Sequence, residues 1–176
     1  MITLAHISDV HLAPMPHVKV RELLGKRASG FLNWKFVRQR SLGGDGLSRL
    51  VQHMREQNPD FVAVTGDLTN LSLPEEHRNA HDWLVSLGSP EQVCVSPGNH
   101  DAYVRGALQA ACATWGDYVR GETVDTAAFP FVRRIGEMAI VCCSSAVPTG
   151  PGFAAGRFSA AQASRFARTM SLLGEA

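Results

Sequence analysis

The chain has 176 residues, with 17 Lys+Arg against 16 Asp+Glu, a formal net charge of +1 and 45% hydrophobic content. That length suits one domain with enough apolar material for a core, and the charge balance argues against wholesale or sequence-specific binding of nucleic acid. No uninterrupted apolar run is long enough to span a bilayer. The N-terminus lacks a basic flank ahead of an apolar segment, so no signal peptide is expected. The four cysteines are Cys94, Cys112, Cys142 and Cys143. None has C-x-x-C spacing and three lie in apolar runs, so buried reduced thiols and a cytoplasmic location are the expectation.

Taken in order, "ITLAHIS" (2–8) reads as a short strand beginning almost at the first residue. Segment 12–42 follows, with seven of the 17 basic residues (Lys19, Arg21, Lys26, Arg27, Lys35, Arg38, Arg40), one acid, Glu22, and interleaved Leu23, Leu24, Phe31, Trp34 and Phe36. It reads as a basic helical insertion. Leu47, Leu50, Val51 and Met54 then share one helix face. "FVAVTG" (61–66) is a second strand. "LPEEHRNAHDWLVSLG" is a helix opened by Pro74 and two acids and closed by Gly88.

"QVCVSP" (92–97) is a third strand, with a further helix over about 105–120. The order β-α-β-α-β predicts parallel strands. "FPFVRRIGEMAIVCCSSA" predicts a hairpin turning at Gly136-Glu137, which would make the sheet mixed. "VPTGPGFAAG" is a loop. Ser159 is placed to cap a last helix carrying Phe166, Met170 and Leu173 on one face.

Polar residues crowd the three strand ends: Asp9 and His11 after the first, Asp67 after the second, Asn99, His100 and Asp101 after the third. In a parallel sheet these ends share the edge where α/β proteins bind ligands. Residues i and i+2 of an extended chain point the same way, so Asp9 and His11 are expected to approach one ion together. Asp67 follows a glycine and offers two oxygens that can bridge two cations; Asn99 adds a neutral oxygen ligand. Mixed oxygen and nitrogen donors suit Mn²⁺, Fe or Zn²⁺. Singly, each motif is more often a turn or a satisfied polar group. A metal site follows from the three at successive strand ends.

"HISDVHL", "VTGDLTN" and "SPGNHD" resemble the first three signature blocks of the calcineurin-like metallophosphoesterases, most closely the class III cyclic nucleotide phosphodiesterase-like members. The resemblance implies a four-layer α/β/β/α sandwich with mixed sheets, of which residues 1–176 would be the N-terminal portion of one domain. It implies hydrolysis of phosphate mono- or diesters, phosphodiesters favoured, by metal-bound hydroxide at a dinuclear centre. Asp9 and His11 would hold the first metal, Asp67 would bridge, and Asn99 would hold the second. His100 would stand by the substrate, with Asp101 orienting its ring. His6 is expected to be a buried, hydrogen-bonded imidazole.

The family pattern also takes histidines from later strand ends, in His-His or His-Pro and Gly-His-x-His contexts, and residues 101–176 contain no histidine. C-terminal truncation is therefore expected, with an incomplete second metal position and weak or absent turnover. A non-catalytic scaffold of the same fold is the alternative. An open sheet edge would favour a homodimer, and the basic segment would contact anionic lipid at a membrane surface or cap the metal edge.

Overall fold

In the computed structural model, which describes residues 1–36, 45–126 and 128–174, three short runs, LAHIS, FVAVT and VCVS, form one parallel sheet. The strands β1 (Leu4–Ser8), β2 (Phe61–Thr65) and β3 (Val93–Ser96) lie in the order β1-β2-β3. Ser8 pairs with Thr65, and Thr65 with Ser96, so the three chains reach one edge together. β2 is central, and its Phe61, Val62 and Val64 are buried. β1 is an outer strand with Leu4 45% exposed. That position corrects the reading of His6: its Nε2 is 2.7 Å from Thr65 Oγ1, but the ring is exposed, because this edge strand has an uncovered face.

Helices α1 (Lys26–Phe36), α2 (Gly46–Glu56), α3 (Pro74–Leu87), α4 (Ala107–Trp115) and α5 (Ala160–Gly174) complete the chain with a hairpin, β4 (Phe131–Ile135) and β5 (Met138–Cys142). The hairpin turn is the two residues expected, with Gly136 at φ +56°, as a turn that needs glycine at its first central position demands. The α/β class, with both parallel and antiparallel pairing, matches the N-terminal part of the expected sandwich. The pairing is divided between two sheets, one parallel and one antiparallel, where the sequence predicted that the hairpin would make one sheet mixed. β5 meets β3 through side chains: Cys94 Sγ is 3.5 Å from Cys142 Sγ, and Ser96 Oγ donates to the Cys143 carbonyl.

The core lies between β2, β3, α3, α4 and the hairpin. Phe61, Val64, Leu68, Leu84, Val95, Trp115 and Phe131 are essentially inaccessible to solvent, each apolar side chain of this size contributing about 1.5–3 kcal/mol by burial. Trp115 Nε1 donates to the His77 carbonyl (3.1 Å), so this indole enters the core with its polar atom satisfied. α3 starts as its sequence dictates, with Pro74 in the first turn. The Glu76 carboxylate accepts from the backbone N–H groups of Asn70, Leu71 and Leu73 at 2.7–3.0 Å.

The helix faces shift slightly from those expected. Leu50 (52% exposed) and Met170 (46%) face outward; Val51 on α2, and Gln162 and Thr169 on α5, turn inward. Ser159 does cap α5, its Oγ accepting from Gln162 N at 3.2 Å. The Gln162 amide in turn pairs with both the N–H and the C=O of Ser144, at 3.1 and 2.8 Å. The four cysteines are free thiols; Cys94 and Cys142 are buried, Cys112 and Cys143 partly so. Arg38 and Arg40 of the basic segment lie outside the described residues. Among those residues no helix is long and apolar enough to cross a membrane.

Candidate metal centre

The strand edge carries the site because β1 and β2 keep pairing beyond their ends. Asp9 N donates to Thr65 O (3.2 Å), His11 N to Asp67 O (2.9 Å) and Leu12 N to Leu68 O (3.0 Å). This stretch is not the extended chain expected from D-x-H. Asp9 and His11 take φ of +54° and +40°, the left-handed region that costs non-glycine residues on the order of 1–2 kcal/mol each. The three backbone bonds offset that cost and fix two side chains that simple alternation would not have placed.

Asp67 is the centre of the arrangement and is buried, 6% exposed. Its Oδ1 accepts the His100 backbone N–H at 2.7 Å, and its Oδ2 lies 3.8 Å from His11 Nε2. Gly98 packs directly on it: a Cβ there would overlap Asp67 Oδ1 and lie 2.5 Å from Asp67 N. The breaker ahead of Asn99 is thus a close approach of two loops that only glycine allows.

Both rings have their orientation fixed by backbone carbonyls. His11 Nδ1 is 3.1 Å from Thr69 O, and His100 Nδ1 is 2.6 Å from Asn70 O. A carbonyl only accepts, so in each ring Nδ1 carries a proton, which in the neutral ring leaves the lone pair on Nε2. The rings meet edge to face with centroids 4.8 Å apart. His100 also stacks on Tyr103, at 5.3 Å and 27°.

Asp101 does not do what the sequence suggested. Its fully buried carboxylate accepts from the N–H groups of Leu68, Thr69 and Gly98 and from Thr69 Oγ1, at 2.9–3.3 Å. It ties the loop after β2 to the loop after β3, and orientation of the His100 ring falls to the Asn70 carbonyl. Burial pushes the Asp101 carboxyl up to about 7, against the pull of its donors on Gly98 and Thr69; the nearby Asp67 charge adds to the rise.

Close by, Ser72 Oγ gives its one hydrogen to Asp101 O (2.7 Å), so His77 Nε2, also 2.7 Å away, must donate to it. Desolvation, with the charges of Arg27 and Arg78, lowers His77 to about 4 and keeps the ring neutral.

Of the six residues singled out in the sequence, His11, Asp67 and His100 bring ligand atoms within 4.8 Å of one another. Asp9, Asp67 and Asn99 line an adjoining cleft of about 220 Å³, walled opposite by Ser145, Ala146 and Ala154. Asp101 stays beneath, in the supporting network. The donors suit a divalent cation. The 3.8 Å between His11 Nε2 and Asp67 Oδ2 is within the roughly 4.2 Å that two ligands, each about 2.1 Å from one ion, can span. The His100 imidazole stands among these donors, at the place the sequence gave to a substrate-facing group. Residues missed from the sequence act through the backbone, as Thr69 and Asn70 do, or by packing, as Tyr103 does. "GDLTN" and the aromatic two places after Asp101 were the only signals of them.

The chain matches the family model described as Calcineurin-like phosphoesterase over residues 2–147. It is 36% identical over 98 residues to the glycerophosphodiester phosphodiesterase GpdQ of Enterobacter lignolyticus (strain SCF1). That stretch is 56% of this chain and spans 29% of the relative's length.

Proposed function

Because the chain belongs to the calcineurin-like phosphoesterase family, we propose that its strand edge serves metal-dependent hydrolysis of phosphodiesters, with two divalent ions of the Mn, Fe or Zn class. The observation that carries this reading is the convergence of His11, Asp67 and His100 within 4.8 Å beside the cleft that Asp9 and Asn99 line. Asp9 and His11 would hold one ion, Asp67 would reach both, and Asn99 would serve the second. When bound, the ions supply Lewis acidity and acidify water. His100 offers Nε2 toward the reacting phosphate, its ring kept in place by Asn70 O; with a proton taken up at Nε2 as well as Nδ1, it would deliver that proton or a hydrogen bond to the departing oxygen. The relative's name favours a diester over a monoester.

Metal content, Mn²⁺ titration by calorimetry and turnover of bis(p-nitrophenyl) phosphate test this reading. Metal uptake, with turnover weak in this chain and stronger in one extended through further histidines, and both lost in Asp67→Asn, is expected. Metal uptake with no turnover, in this chain and in one extended through further histidines, would instead assign a non-catalytic role to the fold.

We place residues 1–176 as the N-terminal part of one phosphoesterase domain, in the cytoplasm in keeping with its free thiols. Lipid contact is supported by exposed Val20, Leu24, Leu32 and Phe36 near Lys19, Arg21 and Lys35 in the sequence, and self-association by the outer edge of β1. Cosedimentation with phosphatidylserine vesicles and light scattering check each.

A further inference from the structure

The basic segment was expected to be a helical insertion that contacts anionic lipid or caps the metal edge. Its described helix is also bonded into the loops that build the site. From α1, Arg27 donates through Nε to Leu71 O at 3.0 Å and through a terminal nitrogen to Ser72 O at 2.5 Å, gripping the loop that follows Asp67. Lys26 Nζ donates to Thr149 Oγ1 at 2.8 Å, reaching the 145–156 loop, whose residues wall the cleft. The same ammonium stands 4.3 Å from the centroid of the Tyr103 ring, at cation–π distance. Gly30, one turn on, lies so close that a methyl group there would overlap the Tyr103 hydroxyl and come within 2.8 Å of Leu71 Cδ2. Tyr103 is 7% exposed and packs with Leu71, Leu73, Met15, Val18 and Phe31 in a small cluster of its own.

The Tyr103 ring therefore has α1 against it and the His100 imidazole stacked on it at 5.3 Å. An imidazole joined to the backbone by a single hydrogen bond at Nδ1 can still rock about that bond. A flat, packed neighbour removes this freedom, and orientation of a reacting group to within a fraction of an ångström is worth about 10²-fold in rate.

We propose that Tyr103 is a positioning residue for His100, and that α1 of the basic segment, through Lys26 and Gly30, sets the Tyr103 ring. The inference deepens the proposed function and rests on it for the task of His100, but the placement of the ring is testable without turnover.

The experiment uses the full chain labelled with ¹⁵N-histidine. Long-range ¹H–¹⁵N spectra are expected to show His100 as a single Nδ1–H tautomer. In Tyr103→Leu the signal should move to a mixture of tautomers, whereas Tyr103→Phe, which keeps the ring, should restore the single form. Gly30→Ala, which displaces the ring from the α1 side, should act as Tyr103→Leu does and supplies the test if Tyr103→Leu fails to fold.

With diesters of poor leaving groups, kcat should fall by about 10- to 100-fold in Tyr103→Leu while KM and bound metal stay within about twofold. With a p-nitrophenolate leaving group, which needs little proton assistance, the fall should be smaller than about threefold. A single Nδ1–H tautomer retained in both Tyr103→Leu and Gly30→Ala overturns the proposal. A shifted tautomer in a chain where His100→Ala costs no activity leaves the positioning intact and removes the catalytic task assigned to His100.

Discussion

Gly98→Ala is the substitution that most directly tests whether Asp67 is the centre of the site. The added methyl would overlap Asp67 Oδ1 and lie 2.5 Å from Asp67 N and 2.7 Å from Gly66 Cα. Separations under 3.0 Å are essentially never seen for real Cβ atoms. A free carboxylate could swing away, but a backbone nitrogen and a neighbouring Cα cannot, so one loop must retreat by about 0.5 Å or more. Overpacking of this kind costs about 1–3 kcal/mol of stability.

The larger consequence is for metal. The retreat breaks the 2.7 Å bond from His100 N to Asp67 Oδ1 and changes the 3.8 Å spacing of Asp67 Oδ2 from His11 Nε2. Loss of a ligand's supporting contacts typically weakens metal affinity about 10- to 100-fold, or roughly 1.4–2.7 kcal/mol. Calorimetric titration with Mn²⁺ reads the affinity, and thermal unfolding without metal reads the stability. Gly46→Ala, where a Cβ meets nothing within 4 Å, is the control: it should leave Mn²⁺ affinity unchanged and not lower stability. Gly98→Ala binding Mn²⁺ as tightly as the parent chain would refute Asp67 as the central ligand.

Other outcomes follow from the buried network. Asp101→Ala leaves Leu68 N, Thr69 N and Gly98 N without their acceptor, and should cost more than about 3 kcal/mol in urea unfolding. His77 is lowered to about 4 by desolvation and by Arg27 and Arg78. The unfolded chain, with an ordinary histidine near 6.5, therefore binds the extra proton. The stability that neutral His77 protects is complete above pH 6.5 and is lost as pH falls toward 4, by about 3 kcal/mol in all. It is read as the difference in urea midpoints between the chain and His77→Gln against pH, because Asp101, raised to about 7, titrates in the same range with the opposite slope. Gln162→Ala removes both bonds to Ser144 and should destabilise the chain by about 1–3 kcal/mol, mostly as a lower melting temperature with metal binding unchanged.

Much of the fold was legible because its signals are local. Short strand-like runs bounded by Gly, Pro and Asp gave β1 to β3 within a residue or two. Pro74, Gly88, Gly136 and Ser159 marked their helix and turn boundaries directly. His11, Asp67 and His100 were legible for a topological reason: parallel strands in register must end at one edge. What escaped was set by tertiary contacts. No periodicity reports that Asp9 and His11 leave the extended region, since only the pairing with residues 65–68 holds them there. A carboxylate next to a histidine in sequence looks like its partner, but the chain turned Asp101 inward to four donors and left His100 to a carbonyl. Backbone acceptors have no residue type to recognise, and the exposure of His6 depends on which strand lies outermost.

Glu76 has a consequence for the order in which the centre is assembled. Its three bonds reach only three to six residues back along the chain, to Leu73, Leu71 and Asn70. Closing such loops costs little entropy, so the turn carrying Asn70 folds together with the start of α3. The bond from His11 to Thr69 spans 58 residues and that from His100 N to Asp67 spans 33. Those contacts wait until the sheet has formed. Folding kinetics should therefore give Glu76→Gln a φ-value well above that of His11→Ala, and the acceptor for His100 would be in place before its ring arrives.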